Sequence, residues 1–263
     1  MGNTAGRADR QQVVEIAHGE QHRFVWLGAG DTKEERGVSS NQYAILDGGE
    51  AMLLDPGGYH VFGRVLTNMC ALVEPKQIRT AFLSHQDPDV CASIVSWVEV
   101  QPDLAVYVSA LWERFLPHFA LPTAPRVIPI PDAGMEVTLK TGARLRMIPA
   151  HGLHSPGNFQ VYDEATRVLF TGDLGAALVP ENEWSLYVTN FDKHVEYMDG
   201  FHRRFFASTK AVKAYLKRVR GLPIDFVCPQ HGSIFRGADV PRFFDWLDTL
   251  EVGFDHAAWG DPA

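Results

Sequence analysis

The chain lacks the features that mark membrane and secreted proteins. No apolar run among its 263 residues approaches the ~20 residues that a membrane-spanning helix needs. The polar start, MGNTAGRADRQQ, has no apolar stretch of the kind found in a secretory signal, and Gly6 stands where a myristoylation signal carries Ser or Thr. These absences predict a cytoplasmic protein with no membrane partner.

Cysteine and positive charge are also scarce. The three cysteines, Cys70, Cys91 and Cys228, are widely separated and odd in number. This pattern predicts free thiols in a reducing compartment rather than a disulfide framework. The formal net charge is -8. Because nucleic-acid binding needs a concentrated basic surface, the charge argues against a nucleic-acid partner.

No repeat, low-complexity tract or Ser/Gly linker divides the chain. We therefore predict a disordered or loosely attached lead-in over residues 1–20 and a single domain over residues 21–263. Apolar patterning predicts strands at 24–27, 41–46, 51–54, 78–83, 105–108, 144–148, 159–162, 168–170 and 224–227, and helices at 61–73, 90–100, 111–119, 197–220 and 241–250. This order predicts an α/β fold of two sheets packed face to face, with helices outside.

Candidate metal ligands follow directly on β-rich runs. His85 ends AFLSH, Asp173 ends RVLFTGD and His231 ends DFVCPQH. Side chains at the ends of neighbouring strands converge at one edge of a sheet, which is where α/β proteins place their sites. We therefore expect these three residues to lie close together.

The densest cluster of candidate ligands is SHQDPD, in which His85, Asp87 and Asp89 occupy alternate positions. Pro88 biases Asp87 toward an extended conformation. A bound cation would offset the repulsion between the two carboxylates. The alternative interpretation is a solvated acidic turn. Gly172, directly before Asp173, permits a tight turn with a close backbone approach.

These motifs resemble the metallo-β-lactamase superfamily. SHQDPD, HSPGN, LFTGDLG and CPQHG are similar to the diiron domain of flavodiiron proteins and to stand-alone oxygen-binding diiron proteins, and the resemblance runs from about Arg36 to Arg236. It implies a metallo-β-lactamase-like αββα sandwich. It also implies that the first metal is bound by His85, Asp87 and His154, the second by Asp89 and His231, and that Asp173 bridges the two.

The resemblance selects His154 rather than His151. His154-Ser155-Pro156 matches the family's His-x-Pro, and His154 precedes Asp173 by nineteen residues, as in the family. Two positions depart from the family pattern. Asp87 stands where zinc hydrolases have His and diiron members have Glu, and Val90 stands where a second-site His is common.

Three imidazoles and three carboxylates without a thiolate favour two iron ions, with manganese or zinc as alternatives. The resemblance implies binding of, or reaction with, O₂ or another small diatomic ligand. The sequence ends about thirty residues after His231, with no flavin domain on this chain. Binding or sensing is therefore favoured over rapid turnover, with a redox protein acting in trans or a signalling protein as the partner. A homodimer is compatible with the sequence.

Two alternatives come from other functional classes. A two-metal site also supports hydrolysis, and this fold hosts many hydrolases. Asp87 and Val90 weaken that interpretation, since both depart from the zinc-hydrolase pattern. The second alternative is a metal-poor domain that serves only as a binding partner. The remaining intact ligand positions argue against it.

Several residues are candidates for supporting roles around the metals. Asp55 ends a predicted strand and is expected to fix the tautomer of a ligating histidine. The aromatic-rich segment between residues 176 and 206 is expected to pass over the opening of the metal site. Within it, Tyr187, Tyr197, His194 and His202 are candidate hydrogen-bond donors, with packing or surface placement as the alternative for each.

Overall fold

The computed structural model describes residues 10–30, 38–119 and 126–253. The strands are β1 (Val14–His18), β2 (His22–Ala29), β3 (Asn41–Asp47), β4 (Glu50–Leu54), β5 (Ile78–Phe82), β6 (Ala105–Ser109), β7 (Arg126–Ile130), β8 (Met135–Thr138), β9 (Arg144–Pro149), β10 (Phe159–Asp163), β11 (Val168–Gly172), β12 (Phe226–Pro229) and β13 (Phe235–Arg236). The α-helices are α1 (Phe62–Cys70), α2 (Pro88–Cys91), α3 (Ile94–Val100), α4 (Phe191–Phe205), α5 (Thr209–Val219) and α6 (Asp239–Thr249). None of these described helices combines the length and the apolar character needed to cross a membrane.

The strands form two sheets. The first contains β1 to β7 in sequence order, and the second runs β13-β12-β11-β10-β9-β8. The β3–β4 hairpin closes through Gly48 and Gly49, with φ angles of 55° and 80°, the left-handed geometry that a tight two-residue hairpin requires. From β4 to β7 the pairing is parallel, and β11 pairs parallel with β12. The carboxyl ends of these parallel strands are where the candidate ligands lie.

Side chains alternate between the two faces of each strand, so each sheet packs on the other sheet with one face and on helices with its outer face. The result is four layers: helices, sheet, sheet and helices. On β2, Phe24 and Trp26 pack between the two sheets, whereas Val25 and Leu27 pack against α1 and α3 on the outer face. The second sheet buries Leu169 and Val227 against α4, α5 and α6 on its own outer face. The predicted two-sheet sandwich with helices outside is therefore confirmed.

Some boundaries differ from the prediction. The expected helix over 197–220 is two helices, because Ser208 caps α5 by accepting a hydrogen bond from the Ala211 backbone N–H. Residues 1–20 were predicted to be a disordered or loosely attached lead-in. That prediction is wrong for β1, which pairs with β2 and buries Ile16. Residues 1–9 lie outside the described residues. That residues 21–263 form one domain stays a prediction.

A buried charged cluster ties the two sheets together at the end opposite the candidate ligands. His22 Nδ1 lies 2.8 Å from Asp47 on the first sheet, and His22 Nε2 lies 2.7 Å from Asp163 on the second. Asp47 also accepts hydrogen bonds from the backbone N–H and hydroxyl of Thr141, on the β8–β9 connection. Burial lowers the pKa of His22, but the two carboxylates outweigh it and raise that pKa above its usual range.

We expect this cluster to make stability depend on pH. Because the pKa of His22 is raised on folding, its contribution is complete below the unfolded-state pKa of about 6.5 and is lost as pH rises through the folded-state value. His22→Gln should therefore cost about 3–5 kcal/mol near pH 5.5 and less near pH 9. Urea unfolding at both pH values measures this difference.

His18→Gln is the matched control, since the His18 side chain is 71% exposed. It should change stability little at either pH. A cost for His22→Gln that stays constant between the two pH values would show that the charge on His22 does not stabilise the fold.

Candidate metal centre

Six candidate ligands converge at one end of the sandwich. His85 follows β5, Asp173 follows β11 and His231 follows β12, while His154 lies on the β9–β10 connection. The SHQDPD segment continues from β5 into α2. Asp87 is extended, with φ −69° and ψ 147°, and precedes Pro88 at the first position of that helix. The conformation predicted for Asp87 is therefore confirmed.

Four of these side chains form one compact donor group. One ligand atom each from His85, Asp87, His154 and Asp173 lies within 4.8 Å of all the others. His154 Nε2 is 2.8 Å from an Asp87 carboxylate oxygen and 3.5 Å from Asp173. His85 Nε2 is 3.6 Å from Asp87 and 3.8 Å from Asp173.

Asp89 and His231 adjoin this group through Asp173. His231 Nε2 lies 3.3 Å from one Asp173 oxygen, and the other Asp173 oxygen faces His85 and His154. His231 Nε2 is also 3.2 Å from Asp89. Asp173 thus stands between two sets of ligand atoms, as a bridging carboxylate would.

Asp55 holds His85 through a serine. The Asp55 carboxylate accepts hydrogen bonds from the Ser84 backbone N–H at 2.7 Å and from the Ser84 hydroxyl at 2.5 Å. The Ser84 hydroxyl is 2.9 Å from His85 Nδ1 and accepts its proton, since it already donates to Asp55. The His85 Nε2 lone pair therefore points into the site. Gly172 makes room for this chain of bonds, because a Cβ there would lie 2.9 Å from the Ser84 hydroxyl.

Other elements position the remaining ligands. His231 Nδ1 donates to the Ser39 backbone carbonyl at 2.9 Å, so its Nε2 also faces the carboxylates. The turn after Asp173 is held by buried His202, whose Nε2 accepts a hydrogen bond from the Gly175 N–H at 2.9 Å. Val90 packs in the apolar core beneath α2 and supplies no ligand atom.

In the metal-free site the carboxylates and the imidazoles shift one another's pKa values. The hydrogen bond from His154, together with the nearby His85 imidazole, holds the pKa of Asp87 well below its usual range. Burial raises the pKa of Asp173, but His231, His85 and His154 outweigh it and hold that pKa at about 2. Burial lowers the pKa of His231, yet Asp173 and Asp89 raise it well above its usual range.

The donor set fits divalent metal ions. His85 Nε2 is buried without a hydrogen-bond partner among the described residues, with two carboxylates nearby. A cation between these groups would satisfy the lone pair and offset the negative charge. Three imidazole nitrogens and three carboxylates without a thiolate suit iron, manganese or zinc. The residues present therefore fit a two-metal centre.

The remaining candidates lie elsewhere. His151 Nε2 bonds to the Asp132 carbonyl at 2.9 Å. Tyr197 donates to Glu183, and the Tyr187 ring lies 3.9 Å beneath the Arg236 guanidinium. In the described part of the chain, no hydrogen bond or ring contact joins either tyrosine to the six candidate ligands, so their proposed roles stay predictions.

His194 and His202 are buried, and burial lowers the pKa of each to about 4. Both are therefore neutral near pH 7. His202 acts on the Asp173 turn through Gly175, which is not the direct role expected from the sequence. The role of Ser84 was not predicted from the sequence, although Ser84 directly precedes His85 and follows the strand next to that of Asp55.

Comparison with known proteins identifies a family and related structures. A family model described as ODP family beta lactamase matches residues 38–232. A structure described as the peroxy diiron species of the chemotaxis sensor ODP is 40% identical, with a TM-score of 0.82, and the match covers 93% of this chain and 97% of that one. The apo state of the sensor from T. denticola is 39% identical, with a TM-score of 0.81 and the same coverage.

Curated sequences extend the comparison to larger enzymes. The rubredoxin-oxygen oxidoreductase of Megalodesulfovibrio gigas is 24% identical over 224 residues, which are 81% of this chain and 53% of that protein. This chain spans between 34% and 60% of the length of the curated relatives it matches. The metallo-β-lactamase-like fold and the resemblance to diiron proteins are confirmed.

We expect Ser84→Ala to weaken metal binding. The change removes the hydroxyl that joins Asp55 to His85 Nδ1, so the imidazole loses the contact that fixes its tautomer. Loss of such a supporting contact typically lowers metal affinity by about 10–100-fold. Anaerobic titration of the metal-free protein with Fe²⁺ measures this. Ser93→Ala is the control, because the buried Ser93 hydroxyl bonds to none of the described residues. Equal affinities for both variants would contradict the assigned role of Ser84.

Proposed function

The chain belongs to the ODP beta-lactamase family, and from this premise we propose that it is a non-haem diiron protein that binds or reacts with O₂. The observation that carries the proposal is Asp173, a buried carboxylate with one oxygen toward His231 and the other toward His85 and His154. That arrangement suits a carboxylate shared by two metal ions. Similarity to a sensor described in a peroxy diiron state supports iron and O₂ over other choices.

We assign ligands to each metal ion. The first iron would be held by His85, Asp87 and His154, the second by Asp89 and His231, and both by Asp173. The compact group of four donors supports the first site. The 3.2 Å and 3.3 Å approaches of His231 to Asp89 and Asp173 support the second.

When bound, a diferrous pair supplies electrons to O₂ from two neighbouring metal ions. The chain's own part is to hold and orient the ligands and to control access. Asp55 and Ser84 fix His85, Ser39 fixes His231, and Val90, next to Asp89, anchors α2 in the apolar core. The Asp87 and Asp89 side chains are 33% and 35% exposed, so they form the side that a small diatomic ligand reaches from solvent.

We further propose that O₂ acts here as a signal, read by a signalling protein partner in the cytoplasm. Similarity to a chemotaxis sensor over 93% of the chain supports this role. The alternative is an oxidoreductase that takes electrons from a redox partner in trans, which the similarity to rubredoxin-oxygen oxidoreductase favours. The free thiols of Cys70, Cys91 and Cys228 are consistent with a reducing compartment.

The proposal is tested by metal loading and optical spectroscopy. The metal-free protein, loaded anaerobically with Fe²⁺, should bind about two irons per chain, as two sets of ligands require. Admitting O₂ should produce a new visible or near-ultraviolet absorption band. His154→Ala should lose iron and the band, because it removes a ligand of the compact group.

His151→Ala is the matched control, three residues away, and should keep both iron and band, since His151 bonds to the Asp132 carbonyl and packs on Phe159 rather than on a candidate ligand. At most one iron, no O₂-dependent band and retention of two zinc ions would reject the diiron proposal and favour a hydrolase. Slow loss of the band without added reductant would favour sensing, whereas rapid turnover with a reduced redox protein would favour the oxidoreductase.

A further inference from the structure

The three candidate imidazole ligands are held in different ways. His85 Nδ1 bonds to Ser84, and His231 Nδ1 bonds to the Ser39 carbonyl. His154 Nδ1 is also buried, yet it bonds to none of the described residues. Metal-ligating histidines almost always donate their second ring nitrogen to an acceptor that fixes the ring. In this structure His154 Nε2 bonds to Asp87 at 2.8 Å, but that bond would be lost if Nε2 bound a metal ion. The ring of a metal-bound His154 must therefore be oriented by contacts other than hydrogen bonds.

The backbone of His154 does not fix the ring either. Its φ of 76° lies in the left-handed region, which a residue with a Cβ rarely adopts. The adjacent hydrogen bonds hold Leu153, whose backbone N–H donates to the Ala150 carbonyl and whose carbonyl accepts from the Asn158 amide. A residue in such a conformation persists only when its surroundings hold it there. These bonds place the His154 Cα but leave rotation of the ring to its neighbours.

Those neighbours are two phenylalanines on α4. The His154 ring centroid lies 5.4 Å from Phe201, at an interplanar angle of 33°, and 5.5 Å from Phe205, at 62°. Phe201 and Phe205 are four residues apart, so they share one helix face, and their own centroids are 4.8 Å apart. The His85 ring also meets His154 edge-on, at 5.0 Å.

The exposure of Phe205 points to the same role. Half of its surface faces solvent, although large aromatic residues normally bury theirs. Phe205 packs on Phe201 and on the His154 imidazole, and these contacts explain why a half-exposed phenylalanine stands at this position. Offset and edge-to-face contacts at these distances have a preferred geometry, so they can set a ring's rotation as well as its position.

We propose that Phe201 and Phe205 form an aromatic clamp that positions His154 for the first metal ion, in place of the hydrogen bond that orients each of the other two imidazoles. The inference rests on the proposed function, in which His154 is a ligand. Because the clamp supplies no proton acceptor at Nδ1, it orients His154 without raising its basicity. It also connects the metal centre directly to α4.

The test compares stepwise Fe²⁺ binding by four variants of the metal-free protein under anaerobic conditions. His154→Ala identifies the binding step to which that ligand contributes. Phe205→Ala should weaken this same step by about 10–100-fold, the usual effect of losing a residue that orients a ligand, and should leave the other step close to wild type. Phe205→Tyr keeps the ring and should restore wild-type affinity.

Phe115→Ala is the matched control. Phe115 is 47% exposed against 50% for Phe205, and its ring contacts are Trp112 and His118 rather than a candidate ligand. This variant should bind iron as the wild type does. Thermal unfolding of each metal-free variant shows whether the fold is intact.

Three outcomes would overturn the clamp. Phe205→Ala could bind iron like the wild type while His154→Ala does not, it could weaken both steps equally, or Phe205→Tyr could fail to restore affinity. If His154→Ala itself changes neither step, the ligand assignment fails first, and the proposed diiron site fails with it. Failure of the clamp alone leaves that site standing.

Discussion

The structure depends on an excess of negative charge at one edge of the sandwich. Asp87, Asp89 and Asp173 are brought within reach of the same imidazoles because parallel strands end side by side there. Carboxylates so placed repel one another unless a positive charge lies between them. In the metal-free protein part of that charge is a proton on His231, whose pKa Asp173 and Asp89 raise well above its usual range. Metal ions of higher charge would replace that proton, so binding should release it.

The carboxylates at the two ends of the sandwich are balanced in different ways. At the far end, His22 lies between Asp47 and Asp163, and both of its ring nitrogens are bonded. That cluster is complete in itself, because His22 bonds to both carboxylates, Thr141 donates to Asp47, and Thr166 and Ala165 donate to Asp163. At the near end, His85 Nε2 has no such partner among the described residues. His85 is at least as buried as His22, so the unsatisfied Nε2 of His85 is what separates a ligand site from a structural cluster.

Sequence reasoning recovered the parts of the molecule that local chemistry determines. Strand ends bearing His85 and Asp173 were predictable, because an apolar run followed by a polar turn ends a strand in most settings. The break between α4 and α5 was missed because helical spacing continues across it and only the Ser208 cap interrupts it. Ser84 and Phe205 were missed for another reason. Their roles depend on residues far away in sequence, Asp55 and His154, which only the folded chain brings near.

The different supports of the three imidazoles suggest how binding at the metals could reach the surface. His85 and His231 are tied to backbone and buried side chains of the two sheets, which packing makes stiff. His154 is tied to α4 through ring contacts, and Phe205 on that helix is half exposed. Phe205 is therefore in ring contact with His154 and also open to a protein partner. Under the proposed sensing role, α4 is therefore the element through which the ligand state would reach a partner.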